Sequence, residues 1–170
     1  MVSDGDGLMV SPALRRTVDE LGVEAERWLR GVPALVAELS AAWNLEVGRA
    51  LEHGGCASII LPMTTDRGVA AVLKLSVPHD ESRYEADALT QWHGDGAVSV
   101  LRSSTDGFAL LLERCEPGHD LWAATIDEQL EVMTDLLPRL WLTDPDGPFE
   151  DLADTAGCWE RQMQAKAGRP

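Results

Sequence analysis

Apolar residues recur three and four apart through residues 12–42: Leu14, Val18 and Leu21, then Ala25, Trp28 and Leu29, then Leu35, Val36 and Leu39. That spacing gathers each set on one side of a helix. Gly22 and the triplet Gly31-Val32-Pro33 interrupt the period, which predicts two or three short amphipathic helices. Residues 43–51 alternate more loosely, with Leu45 and Val47 on one face, and run into His53-Gly54-Gly55-Cys56-Ala57-Ser58. An apolar run over 58–63 follows, so the glycines join two predicted strands. The polar turn Thr64-Thr-Asp-Arg-Gly68 then leads into the apolar, β-branched stretch 68–76, a second hairpin. Pro78 ends that strand, and Asp80 or Ser82 can cap a helix reaching about Trp92. Two more strands, 97–101 and 108–113, flank a polar turn. Beyond Cys115-Glu-Pro-Gly118 the helical period returns, with Ile126, Leu130, Met133, Leu136, Leu137, Leu140 and Trp141 on one face. Asp144-Pro-Asp-Gly-Pro148 makes a turn, and 154–167 a final helix. The order predicts an α+β domain: five strands, with one helix inserted after the third, between helical flanks.

Composition changes this picture little and charge rather more. The 170 residues, 45% hydrophobic and 25% charged, suffice for a sizeable core. A net charge of −15 argues against sequence-independent binding to nucleic acid or anionic membrane, both of which need clustered Lys and Arg. Cys56, Cys115 and Cys158 are odd in number and far apart, with no CxxC pair, so neither a disulfide framework nor a zinc site is expected. The first residues carry no basic segment followed by an apolar one, and no run reaches the ~18 apolar residues of a membrane span. A cytoplasmic protein is the expectation.

The candidate chemistry centres on Lys74, the one charge inside residues 69–77. Its stem can pack in the sheet while the ammonium reaches water, or the ammonium can take an anionic partner. Glu85, on the following helix, is such a partner. It can instead close a capping box with Ser82, which stands three residues earlier. Glu81 lies one turn before Glu85 on nearly the same side and is the alternative partner for the lysine. The small residues Gly54, Gly55 and Ser58 form a turn in which backbone N–H groups could approach a phosphate; a plain hairpin explains the glycines equally well.

These pieces, in this order, carry a family resemblance. Ala71-Val-Leu-Lys-Leu75, Glu85-Ala-Asp-Ala-Leu-Thr-Gln-Trp92, Gly94-Asp-Gly-Ala-Val98 and Ala109-Leu-Leu-Leu-Glu-Arg-Cys-Glu-Pro-Gly118 resemble the aminoglycoside and hydroxyurea antibiotic-resistance kinases, the streptomycin phosphotransferase group, over about residues 43–121. The resemblance implies a kinase-like fold, with a small lobe over 43–116, an N-terminal helical segment over 1–42, and a hinge with the helical start of a large lobe over 117–170. It also implies transfer of the γ-phosphoryl of ATP, with Mg²⁺, to a hydroxyl of an antibiotic such as streptomycin or to hydroxyurea. Lys74 would take the α- and β-phosphates and Glu85 would hold the lysine. Gly54, Gly55 and Ser58 would cover the phosphates, and Glu113 with Cys115 would present main-chain groups to adenine, Arg114 between them being an ordinary linker residue as readily as a functional one.

Three look-alikes are set aside. His93-Gly94-Asp95 spells the start of a kinase catalytic loop, yet no asparagine follows, and it stands between a helix and a strand; a turn with a C-cap glycine is expected. Asp144-Pro-Asp-Gly147 lacks the ligand pattern of a calcium loop. His119-Asp120 likewise has no downstream asparagine and is expected to be a loop or helix start. The sole asparagine is Asn44, so the catalytic aspartate and metal ligands of phosphoryl transfer cannot be assembled from these residues, and no catalytic or metal-binding residue is assigned. A fragment, a shortened reading frame and a degenerate homologue all fit that inventory. Each leaves large-lobe faces such as Leu130, Leu137 and Trp141 uncovered and favours self-association. A non-catalytic nucleotide-binding or interaction module is the alternative function.

Overall fold

The computed structural model describes residues 2–4, 8–48, 55–142 and 146–167. Strands β1 (Val2–Asp4) and β2 (Leu8–Val10) pair antiparallel as a small separate ribbon. Helix α1 (Pro12–Leu21) begins at Ser11, whose hydroxyl accepts from the Leu14 N–H at 3.0 Å, with Pro12 at the first helical position where no N–H is needed. Gly22, at φ +83°, separates it from α2 (Val23–Trp43).

The expected break at Gly31-Val32-Pro33 does not occur: α2 runs unbroken through all three. Pro33 deprives the Leu29 carbonyl of its intrahelical donor, an interruption that helix propensity alone counts as about 3 kcal/mol. Leu29, Val32 and Leu39 are buried against the sheet, and burial of each is worth about 1.5–3 kcal/mol, so packing outweighs the defect. Asn44 is another departure. Instead of opening a strand it caps α2 in the left-handed conformation, φ 54°, which a short polar side chain tolerates.

The main sheet has the order β3 (Leu45–Val47), β4 (Ser58–Thr65), β5 (Ala70–Ser76), β7 (Ala109–Glu113), β6 (Val100–Ser103), every neighbour antiparallel. β3 begins at Leu45, later than its expected start, and residues 49–51 of the expected span lie outside the described residues. Gly48 N–H donates to the Pro62 carbonyl at 2.8 Å, but Pro62 has no N–H to return, so that pair is held from one side only. Leu45 is buried while Val47, past the covered part of the sheet, is exposed, so the expected pairing of the two in one core face is not realised.

Register sorts the residues onto two faces. Leu61, Leu73 and Leu111 stand in one row, and with Ile59, Met63, Ala71 and Leu75 they meet Leu14, Val18, Leu29 and Val32 of the N-terminal helices. Ile60, Lys74 and Leu110 stand in the neighbouring row, on the opposite face. That face is covered by α3 (Glu85–Trp92), whose Leu89 joins Leu110 and Leu112 in a smaller cluster. α3 starts later than expected: residues Asp80–Ser82 form a separate 3-10 turn, and neither Asp80 nor Ser82 caps the α-helix. After β7 come a cis Glu116–Pro117 bond, a 3-10 turn Leu121–Ala123 capped by Asp120, α4 (Ile126–Leu140) and α5 (Leu152–Ala167). Among the described residues this makes an α+β fold, with a five-stranded antiparallel sheet, one helix inserted after its third strand, and helices on either side.

Candidate functional site

Lys74 lies mid-strand in β5, with Ile60 and Leu110 as its lateral neighbours and water within reach of its tip: about a quarter of the side chain is exposed. Its ammonium meets the Glu85 carboxylate in a charge-assisted hydrogen bond. Glu85 is the first residue of α3 and equally half-sunk. The capping-box alternative is not realised. The Ser82 hydroxyl instead donates to the carbonyls of Val77 and His79, both at 3.0 Å, which folds the chain back at the end of β5. Glu81 falls inside the 3-10 turn, before the helix that carries Glu85 begins.

Gly54 lies outside the described residues; Gly55 and Ser58 do not. A Cβ at Gly55 would come within 2.5 Å of the Ser58 hydroxyl, so glycine is required there by close approach. The Gly55 carbonyl accepts from the Ser11 hydroxyl at 2.9 Å, tying this turn to the start of α1. Ser58 is buried at the head of β4, opposite Ser76. Thus Gly55, Ser58 and Lys74 occupy the same two-stranded unit, while Glu85 reaches it from above.

The residues after the sheet behave differently. Glu113, the last residue of β7, uses its carboxylate to accept the Ser99 N–H at 2.9 Å. Arg114 pairs with Glu116 at 3.3 Å on the surface, and the Cys115 thiol is exposed. Gly118, at φ +58°, has the Cys115 carbonyl 2.6 Å from where a Cβ would stand, so this connection is a tight turn. Among the described residues singled out from sequence, Lys74 and Glu85 touch through their side chains in a way that creates a charged site.

The first look-alike resolves structurally. His93 itself, not Gly94, takes the left-handed cap of α3 at φ 52°, and Asp95 accepts from Arg139 Nε at 2.7 Å. That contact raises the Arg139 pKa from its ordinary value, chiefly by the hydrogen bond and then by the charge of Asp95. The Asp144 turn lies partly outside the described residues, and no cluster of three metal-ligating side chains occurs among those described. No described helix is long and apolar enough to cross a membrane. A groove of about 280 Å³ lined by Glu24, Arg27, Trp28 and Pro78 sits on the α2 side, away from the Lys74 row. Sequence periodicity missed three long-range contacts altogether: Ser11 to Gly55, Trp92 to Leu140, and Asp95 to Arg139. A serine, a tryptophan or an aspartate carries no local mark of a partner forty residues away.

The sheet order, the inserted helix and the strand-lysine to helix-glutamate pair define the small lobe of a kinase-like fold. The family model for aminoglycoside/hydroxyurea antibiotic resistance kinases matches residues 49–169, and the chain belongs to that family. Streptomycin 6-kinase of Streptomyces glaucescens is 34% identical over 138 residues, which is 81% of this chain and 45% of that protein. Streptomycin 6-kinase of Streptomyces griseus is 30% identical over 164 residues, 95% of this chain and 53% of the relative. Hydroxyurea phosphotransferase of Kitasatospora aureofaciens is 38% identical over 100 residues, 59% of this chain and 29% of the relative. The chain therefore spans about half or less of the length of these curated relatives. No solved structure matches it significantly.

Proposed function

We propose that this chain is the nucleotide-binding part of an ATP-dependent phosphotransferase that acts on a hydroxyl of an aminoglycoside, or on hydroxyurea. The observation that supports it best is the Lys74–Glu85 ion pair on the sheet face opposite the N-terminal helices. A cation kept part-exposed by a neighbouring carboxylate suits a polyphosphate, which can share or displace that partner. ATP, when bound, supplies the γ-phosphoryl group. Lys74 would hold the α- and β-phosphates, Glu85 would orient Lys74, and Gly54, Gly55 and Ser58 would lie over the phosphates. Glu113 and Cys115 would offer main-chain groups to adenine. Mg²⁺ would accompany the nucleotide without a ligand set of its own from these residues. In this reading residues 1–42 are a supporting helical segment, 43–116 the small lobe, and 117–170 the hinge and first large-lobe helices.

A second reading, a nucleotide-binding or interaction module without catalysis, has one observation in its favour: Asn44, the sole asparagine, is used as a helix cap. Isothermal titration of the folded chain with Mg-ATP, beside Lys74→Ala, tests what both share. Saturable heat with a Kd near about 1 mM or tighter is expected, weakened at least about tenfold, or about 1.4 kcal/mol, in Lys74→Ala. Equal heats from the two proteins, or none from the wild type, would overturn nucleotide binding through Lys74. Phosphate transfer to streptomycin or hydroxyurea by this chain fused to the remaining portion of a related streptomycin 6-kinase separates the two readings.

A further inference from the structure

The residues that imitate a catalytic loop, His93-Gly94-Asp95, do different work. α3 is only eight residues long, and its N-cap, Tyr84, contributes no side-chain hydrogen bond. Leu89 is its one buried residue. Such a helix is marginal on its own and takes its position from its attachments. Its C-terminal end is attached three times to one turn of α4. Trp92, the last residue, donates its indole N–H to the Leu140 carbonyl at 3.0 Å. Asp95 accepts two donors from the Arg139 guanidinium, Nε at 2.7 Å and Nη2. Gly96, at φ +87°, lies so close to α4 that a Cβ would come within 3.3 Å of Leu140 and 3.5 Å of Leu136.

We propose that Asp95, Arg139 and Trp92 are positioning residues: by clamping the end of α3 to α4 they hold Glu85 at the other end of that helix against Lys74. The inference rests on the nucleotide-binding reading for its consequence, though the clamp can be measured without nucleotide. From Trp92 back to Glu85 is seven residues, about 10 Å of helix, and hydrogen-bonded helix of that length moves as one body. Freed at its C-terminal end, α3 can pivot about Leu89, and a pivot of a few degrees is enough to lengthen a hydrogen bond made by its first residue. The ion pair is surface-exposed, so its effect is expected to be modest, up to about fivefold; loss of the part-buried indole bond adds to it.

The test is a charge-swap cycle, Arg139→Asp, Asp95→Arg and the two combined, with Trp92→Phe as a second, uncharged route to the same end. Glu85→Gln serves as the reference for a released lysine. The first readout is the rate at which Lys74, one of two lysines in the chain, is acylated by an amine reagent, followed by peptide mass spectrometry. Faster labelling in Arg139→Asp and Trp92→Phe, in the direction of Glu85→Gln, with recovery in the swapped pair, is the expected result. A general loss of structure would not be repaired by exchanging the two charges. Unchanged labelling in Arg139→Asp and Trp92→Phe while Glu85→Gln labels faster, or failure of the swap to recover it, would overturn the proposal. The second readout is Mg-ATP affinity, expected to fall about two- to fivefold in the single variants and to return in the swap. A wild type that binds no Mg-ATP would sink the nucleotide reading alone, since the labelling cycle still decides the clamp.

Discussion

A hydroxyl at Ser58 and a missing methyl at Gly55 show how tightly single atoms are specified around the turn before β4. With 2.5 Å between the Ser58 oxygen and a Cβ at residue 55, Gly55→Ala must displace a buried side chain, and a loss of about 1–3 kcal/mol in urea unfolding is expected. Ser58→Ala opens the required space. The double variant Gly55→Ala/Ser58→Ala should therefore recover part of the loss, a coupling that equilibrium unfolding of the four proteins measures directly. Lys74 was legible from sequence because a lone cation in an apolar strand has few places to go. Its partner was legible only as a choice among nearby groups. The Ser82 hydroxyl, engaged with Val77 and His79, and the 3-10 turn that delays α3 remove the competing arrangement.

At the scale of elements, α2 and α4 carry opposite lessons about helix signals. Pro33 in α2 was expected to stop the helix and did not, because the side chains on either side of it are held by the sheet. Pro33→Ala restores a donor to the Leu29 carbonyl in an otherwise complete helix. A gain of about 1 kcal/mol is expected, seen as a rise in Tm of about 2–4 °C. In α4 a local motif closes that the apolar period did not single out: Thr125 and Glu128 form a reciprocal capping box, the Glu128 carboxylate accepting the Thr125 N–H at 2.8 Å and its hydroxyl at 2.7 Å. Those bonds, the hydroxyl's first, lower the Glu128 pKa from its ordinary 4.5. A depressed carboxylate pKa stabilises the fold above the unfolded value, and the contribution disappears as pH falls through the folded one. Thermal unfolding should therefore show wild type ahead of Glu128→Gln by a constant margin above about pH 5, with the gap closing under more acid conditions.

For the whole molecule, apolar exposure and net charge pull in opposite directions. Ile126, Leu130, Met133, Leu137 and Trp141 of α4 and its end, together with Leu152 and Met163 of α5, are exposed, and uncovered apolar side chains of this size favour self-association. A charge of −15 opposes the self-association this favours. Salt screens the repulsion and leaves the apolar attraction, with a Debye length of about 10 Å at 0.1 M. Sedimentation velocity should show association that grows with sodium chloride, and Leu130→Glu/Leu137→Glu should keep the chain monomeric. Association that weakens with salt would mean that charge complementarity, not the exposed helix face, holds the copies together.

Sequence alone determined what local pattern controls: the helix and strand periods, the hairpin turns, and the isolation of Lys74 in an apolar run. Motif order carried the family resemblance as well, because a short string of residues survives in sequence whether or not the rest of the fold is present. Tertiary structure decided whatever depends on distant partners. Packing against the sheet carried α2 through Pro33, the missing N–H of Pro62 left the Gly48 pair one-sided, and left-handed caps fell to Asn44 and to His93 in place of Gly94. The tie from Ser11 to Gly55 and the clamp of Asp95 and Trp92 onto α4 belong to the same group. The physical reason is common to them: propensities and caps act over one turn of chain, whereas burial and long-range hydrogen bonds act between elements whose meeting no local window of sequence contains.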